Sequence, residues 1–401
     1  MQLIQEIIAN PRAKEIYFTV RKYGTVSKQT LLDESGLTIS TLTRILDELL
    51  SAGLLLEVGF GESTGGRRPT LYETNPAYAY LLGLEISRTR ARLVLTDFHL
   101  RLLDEYTWNM DAALTPERLI ESLHQQVLRM LESASTGLDR VAGLGIGAVG
   151  PLDRKAGVIL NPARFPAPGW SQVQIKAQLE QRLSVPVYLD NGANTALLGE
   201  YWAGSSRMQH HLLYLHAGIG LRSAIMNDGR LLYGMIDTEG AAGQMIIEGS
   251  GLPPQLPGGN AGAWESYVSV HTLERQAREA WEQGSSTMLR DLAESAAELE
   301  FPHLVEALQA RDPVAVRLFS EMAVYCGIGL ANLINILHPE EVILGGPLFL
   351  AADDFYQEAT RIALERTYYR GQYDVRFTRS SLGERSVAAG ACAMVLLQLT
   401  S

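Results

Sequence analysis

The sequence predicts an α/β protein in which a small winged helix-turn-helix precedes a larger two-lobed body. Three observations carry this. A length of 401 residues calls for two or three cores rather than one. The first 75 residues show short helical segments with glycine stops, followed by two short strand patterns. From Tyr80 onward, buried strands alternate with helices, and glycine turns stand at the strand ends.

The front segment is justified element by element. A first helix closes over Tyr17 to Tyr23 and ends at Gly24. Ser27 is the N-cap of a second, SKQTLLDESG, which Gly36 stops. Thr38 caps a third. There Ile39, Leu42, Ile45, Leu46, Leu49 and Leu50 form one apolar stripe at helical spacing. The other face of its first turns offers Ser40, Thr41, Thr43 and Arg44. Small side chains let a helix sit deep in a major groove, and Arg44 can reach a guanine edge or a phosphate. LLLEVG and PTLYET then read as two strands around a long tip, FGESTGGRR.

Charge makes that tip informative. The formal net charge is −11, and residues 1–75 hold 8 Lys+Arg against 9 Asp+Glu, which leaves −10 for the rest. An acidic body repels phosphate at long range, so any DNA contact needs a few well-aimed cations. Gly65 and Gly66 let the backbone approach a duplex, and Arg67 and Arg68 can enter the minor groove. A hairpin with solvated arginines would show the same tip alone. A wing directly behind a recognition helix points to double-stranded DNA.

In the body, LLGLEISRTRARLVLTD reads as strand, turn and strand. VAGLGIGAVGPLD is a buried strand entering a glycine turn, and PVYLDNGANTALLGEYWAG a strand running into a helix. HLLYLHAGIGLRSAIMNDGRLLYG is a strand pair. The helix AVYCGIGLANLINILHP leads into the strand EEVILGGPL. The two clusters of strands suggest two lobes with a cleft. No run approaches the roughly 18 apolar residues of a membrane span, and the N-terminus lacks a secretory pattern, so a cytoplasmic location is expected. Cys326 and Cys392 lie in apolar helical contexts and read as buried thiols.

The order of these segments resembles the ROK family of sugar kinases and sugar-responsive repressors, in its regulator branch. The motifs that carry the likeness are STGGRRP with Asn75-Pro76, GLGIGAVGPLD with NPARFPAPGW, and LANLINILHPEEVILGGP. The resemblance covers nearly the whole chain. It implies an actin- or hexokinase-like pair of lobes with a sugar site between them. The implied domains are a DNA-binding winged helix-turn-helix over 1–75, a first α/β lobe over 76–190 completed by the C-terminal helix 385–401, and a second, larger lobe over 191–384 with the dimerisation surface.

The resemblance also shows what is missing. Kinases of the family carry an Asn-Asp pair at a strand-to-helix turn, the aspartate being the base that takes the sugar proton. Here the pair is Asn191-Gly192, and Asp190 stands as a poor substitute. The family's Asp followed by a Gly-Gly-Thr phosphate turn becomes Glu85 followed by Ser87, Arg88 and Thr89. HAGIGLR keeps Gly218 and Gly220, which alone signal little more than a tight turn. The family's zinc-binding histidine falls on Gln244, and its three cysteines on Leu256, Gly258 and Ala263, none of which ligates zinc. The loop PPQLPGGNAG must then be held by packing. No metal and no cofactor are expected.

Sugar-side groups remain. Asn191 and Glu265 match sugar-binding positions, and Asn161 lies in the NPARF segment. The family's other glutamate falls on Ala241, with Glu239 two residues away. Asp190, Gln244 and Arg164 complete the candidate effector set, although all could be leftover structural groups. Arg164 and Arg222 leave room for an acidic or phosphorylated sugar. The expectation is a non-catalytic DNA-binding regulator, a repressor of carbohydrate genes, acting as a homodimer or dimer of dimers. A sugar kinase that also binds DNA, and a ligand-independent DNA-binding dimer, are the rival readings.

Overall fold

The computed structural model describes residues 9–61, 68–204, 206, 208–234, 241–255, 258–368 and 370–399. The chain divides into two compact units, residues 1–208 with 387–401 and residues 209–386. Each is described by itself.

The first unit opens with the head. Helix α1 (Pro11–Tyr23) starts at Asn10, whose side chain accepts from the Arg12 N–H, and stops at Gly24 (φ 78°). A three-residue strand β1 (Thr25–Ser27) follows. Ser27 caps α2 (Lys28–Ser35), which ends at left-handed Gly36. Thr38 caps α3 (Ile39–Ser51) by accepting from the Thr41 N–H. Leu42, Ile45, Leu46 and Leu49 are buried, as the helical stripe requires. Ile39 departs from the stripe. It is 66% exposed. β2 (Leu55–Phe60) pairs antiparallel with β3 (Thr70–Thr74), with an irregularity between Glu57 and Gly59. β1 adds to the other edge of β3, so the small sheet runs β1-β3-β2. β1 has no counterpart among the expected elements, since three residues are too few for a periodic signal.

The lobe behind it is built on a five-stranded sheet. β4 (Tyr80–Ile86), β5 (Arg90–Thr96) and β6 (Leu102–Asn109) are antiparallel neighbours. β7 (Val141–Ala148) and β10 (Val187–Asn191) extend the sheet in parallel from β4, giving the order β10-β7-β4-β5-β6. The short pair β8 (Leu152–Asp153) and β9 (Val158–Ile159) leaves β7. α4 (Pro116–Ser133) and α5 (Ile175–Leu183) cover one face, where Leu82, Leu84, Leu144, Ile146, Val187 and Leu189 meet Leu123, Val127 and Leu179. The other face of β7 is glycine at every second residue. A Cβ on Gly145 would lie 1.9 Å from the Ala391 carbonyl oxygen. Those glycines therefore make room for helices that pack close on the strand, at Gly145 down to backbone distance, a role that a strand entering a turn does not reveal by itself. The helices are α6 (Gly192–Trp202) and one from far along the chain.

The second unit holds another five-stranded sheet. β11 (His211–Ala217) and β12 (Leu221–Asn227) form an antiparallel pair, extended by β13 (Arg230–Leu231). The helices α7 (Trp264–Tyr267), α8 (Val270–Glu282), α9 (Leu289–Leu292), α10 (Phe301–Gln309) and α11 (Pro313–Leu337) precede β14 (Glu341–Gly345). α12 (Pro347–Ala351), α13 (Asp353–Arg366) and β15 (Arg376–Arg379) follow. The strand order is β13-β12-β11-β14-β15. α11 has 25 residues and is long and apolar enough, by length and composition, to cross a membrane. That corrects the expectation that no run approaches such a length. Its Leu318, Phe319, Met322, Cys326, Leu330 and Ile334 are buried in the core of this unit, which accounts for its composition.

The chain then returns to the first unit with α14 (Ser386–Leu399), which lies on the glycine face of β4 and β7. The boundary expected at 190/191 falls inside β10, before its last residue Asn191, whereas residues 191–208 belong to the first unit. The reason is packing. A Cβ on Gly390 of α14 would meet the Thr195 carbonyl oxygen of α6 at 1.5 Å, so the two helices touch backbone to backbone.

Candidate nucleic-acid interface and effector site

The head presents Thr38, Ser40 and Arg44 in exposed positions, with Thr41 and Thr43 half-buried. Hydroxyls of Thr38, Ser40 and Thr41 form a local network, at 3.2 Å and 2.9 Å from the Thr38 oxygen. Thr43 is engaged as well. Its hydroxyl donates to the Ile39 carbonyl (2.6 Å) and accepts from the Lys28 ammonium (2.5 Å). Thr43 is thus less available to a base than its position suggests, and Lys28 joins the face as a cation. In sequence Lys28 reads only as the start of a capped helix, so its place on this face is not visible there. In the wing, the Gly61 N–H donates to the Pro69 carbonyl (2.8 Å) and closes the strand pair at its tip, beside exposed Arg68. Gly65, Gly66 and Arg67 lie outside the described residues.

The strand-to-helix turn of the first unit holds Asp190 and Asn191. Asn191 caps α6, accepting from the Asn194 N–H (2.8 Å). Asp190 is 2% exposed. One of its carboxylate oxygens accepts from the Asn191 N–H (2.7 Å) and the Asn194 amide (3.0 Å). The other lies 3.8 Å from the Arg154 guanidinium. A carboxylate so placed holds a turn and is paired with Arg154. At Gly192 a Cβ would meet nothing closer than 3.9 Å, so the missing aspartate was not excluded by space.

In the phosphate-turn position, Glu85 is buried 3.7 Å from Arg90. Arg88 donates to the Ala163 carbonyl (2.9 Å), tying the β4–β5 turn to the NPARF segment. There Asn161 is exposed and accepts from the Ser171 hydroxyl (2.5 Å). Arg164 is exposed and sits in the left-handed region at φ 63°.

The second unit brings Glu265, Gln244 and Arg222 together. Glu265 is 3% exposed; one oxygen accepts from Arg222 (3.0 Å) and the other from the Gln244 amide (2.6 Å). Gln244 also accepts from the Asn260 N–H (2.9 Å), while its carbonyl accepts from the Asn260 side chain (2.8 Å). Gln255 reaches the Glu265 carbonyl, Ser269 and Thr272 at 2.7–2.8 Å, and the Tyr267 hydroxyl accepts from the Leu252 N–H (2.7 Å). Among the described residues, the loop expected to be held by packing also carries these hydrogen bonds. Gln244, at the family's metal position, is one of their hubs. Glu239 and Leu256 lie outside the described residues. Among the described residues no group of three or more His, Cys, Asp or Glu could hold a metal. Burial pushes the thiol of Cys326 well up and that of Cys392 up to about 12.

The model of the ROK family matches residues 81–398, beginning just behind the head. The chain belongs to the ROK family. A xylose repressor of Caldicellulosiruptor bescii is 29% identical to this ROK chain over 371 residues, 92% of this chain and 91% of that protein. A solved ROK family transcriptional regulator, described as a homolog of the E. coli MLC protein, matches with a TM-score of 0.80. It covers 99% of both chains at 20% identity, a likeness of fold. A ROK family glucokinase from Streptomyces griseus, solved with glucose and AMPPNP, is 26% identical with a TM-score of 0.66. It is covered over 99% of its own length but accounts for 79% of this chain. The kinase is thus complete without about a fifth of the chain, and the regulators span it from head to body.

Proposed function

We propose that this ROK protein is a DNA-binding transcriptional regulator, a repressor of carbohydrate genes, that binds a sugar without phosphorylating it. The observation that carries the reading is the extent of the repressor likeness, which runs over 92% of the chain and so takes in the winged head as well as the body. Thr38, Ser40, Thr41 and Arg44, with Lys28 beside them, would face the major groove. Gly65, Gly66, Arg67 and Arg68 would form the wing hook. Asn161, Asn191, Glu239, Gln244 and Glu265 would recognise hydroxyls, while Asp190 acts through the turn it holds. The protein would work in the cytoplasm as a homodimer or a dimer of dimers.

Charge pairing favours an uncharged effector. Glu265 is matched by Arg222, and Asp190 by Arg154. An acidic or phosphorylated sugar would have to displace a buried carboxylate to use Arg222, which argues against that role for the arginine. D-xylose, named by the repressor relative, is the first probe. Binding of D-xylose should raise the melting temperature, by mass action, and alter affinity for DNA upstream of the chain's own gene. Gluconate and glucose 6-phosphate should do neither. Phosphoryl transfer is not part of the reading, since Gly192 carries no base and Arg88 occupies the phosphate turn. ADP release above background with any sugar of a broad panel would overturn it.

A further inference from the structure

α6 joins two places with different chemistry. Its N-terminus is Asn191, the candidate sugar-side amide, with Asp190 and Arg154 behind it. Its C-terminus is Trp202, which lies against the head. The Trp202 ring is 5.6 Å from the Phe18 ring of α1, and the Arg21 guanidinium lies 5.9 Å from the indole centroid. Arg21 is buried and donates to the Phe98 carbonyl of the β5–β6 turn (2.8 Å). Tyr17 is fully buried and packs edge-on against Phe18 at 5.7 Å. Trp202 is 8% exposed, and its indole N–H is buried without a hydrogen-bond partner. An indole whose N–H makes no hydrogen bond can slide over its neighbours without breaking one.

The helix between these ends is stiff. Every residue from Ala193 to Trp202 is buried, and its eleven residues span roughly 16 Å. α14 packs on it at backbone distance through Gly390. The head, by contrast, has room. A cavity of about 330 Å³ lies beside the aromatic contact, with Arg21, Thr25 and Thr74 of the head facing His99, Arg101 and Ala203 of the lobe. The cavity is open to solvent on one side, so α1 can tilt at this junction without displacing packed core.

We infer that α6 relays the state of the Asn191 turn to the DNA head, with Trp202 as the residue that positions α1. The inference rests on the sugar-binding reading above. When the turn at Asn191 closes on a sugar, the helix shifts as a rigid body and Trp202 pushes Phe18 and Arg21, tilting α1 into the cavity.

The test is hydrogen–deuterium exchange on the full chain, with D-xylose and D-glucose as probes and calorimetry for binding. In the unaltered chain, a bound sugar should change exchange both at residues 191–202 and at residues 12–23. In Trp202→Ala and in Phe18→Ala, binding should stay within threefold and the change at 191–202 should persist. The change at 12–23 should fall at least tenfold. Phe18→Ala leaves α6 intact and decides the matter if the tryptophan variant does not fold. Persistence of the full response at 12–23 in the folded variants overturns the relay alone, as does sugar binding with no response there in the unaltered chain. If neither sugar binds the unaltered chain, the sugar-sensing reading falls and the relay falls with it.

Discussion

Asp190 and Gly192 stand two residues apart, and together they describe what the turn has become. Asp190 spends both oxygens on neighbours, and Gly192 offers space but no side chain. Gly192→Asp should therefore fold. A carboxylate in the first turn of a helix is favourable by about 0.3–1 kcal/mol, and loss of a helical glycine adds about 0.5–1 kcal/mol. Thermal melting should show equal or higher stability, while a coupled ADP assay should still show no turnover, because Arg88 remains tied to Ala163. In the head, Arg44 and Arg68 should separate two modes of contact. Arg44→Ala should relax preference at one or two bases by about 1–3 kcal/mol, measured with an operator-variant library. Arg68→Ala should weaken all sequences alike and lower the salt slope by about 1. Equal behaviour of the two variants would contradict the assignment of helix and wing.

Among elements, the head is the most legible in sequence. Ser27 and Thr38 cap helices, and Gly24 and Gly36 end them, because caps and positive-φ glycines act within a few residues and leave local marks. Within the body, what escapes is nonlocal. VAGLGIGA shows its glycines in plain view, but their purpose depends on α14, about 240 residues away in the chain. The exposed edge strand β6 likewise lacks the apolar alternation that reveals a half-buried strand. The Arg222–Glu265–Gln244 cluster cannot be read as a cluster, since its members are separated by 21 to 43 residues and meet only through the fold. The glycine face makes a sharp prediction. Gly145→Ala places a methyl against the Ala391 backbone, and overpacking of this kind costs about 3 kcal/mol or more when backbone must move. Calorimetry should register a fall in melting temperature of about 6–12 °C, for a unit in which 1 kcal/mol corresponds to about 2–4 °C.

For the whole molecule, the net charge of −11 leaves the head to do all the attracting. Lys28 and Arg68, with Arg67 beside Arg68 in sequence, give about three phosphate-directed cations per head. If two heads bind together, the slope of log affinity against log salt should be about −5, and about half that for a single head. Anisotropy titrations between 50 and 200 mM salt thus report oligomeric state as well as contact number. The far-travelled α14 has a separate consequence, in time. A ribosome adding about 5–20 residues per second finishes the head some 15–60 s before residue 399 emerges. Until then β4 and β7 have no roof on their glycine side, and Trp202 has no settled place to stand. A nascent chain could own a finished winged head and still hold it in no defined orientation, so competence to grip a promoter arrives only with the last helix.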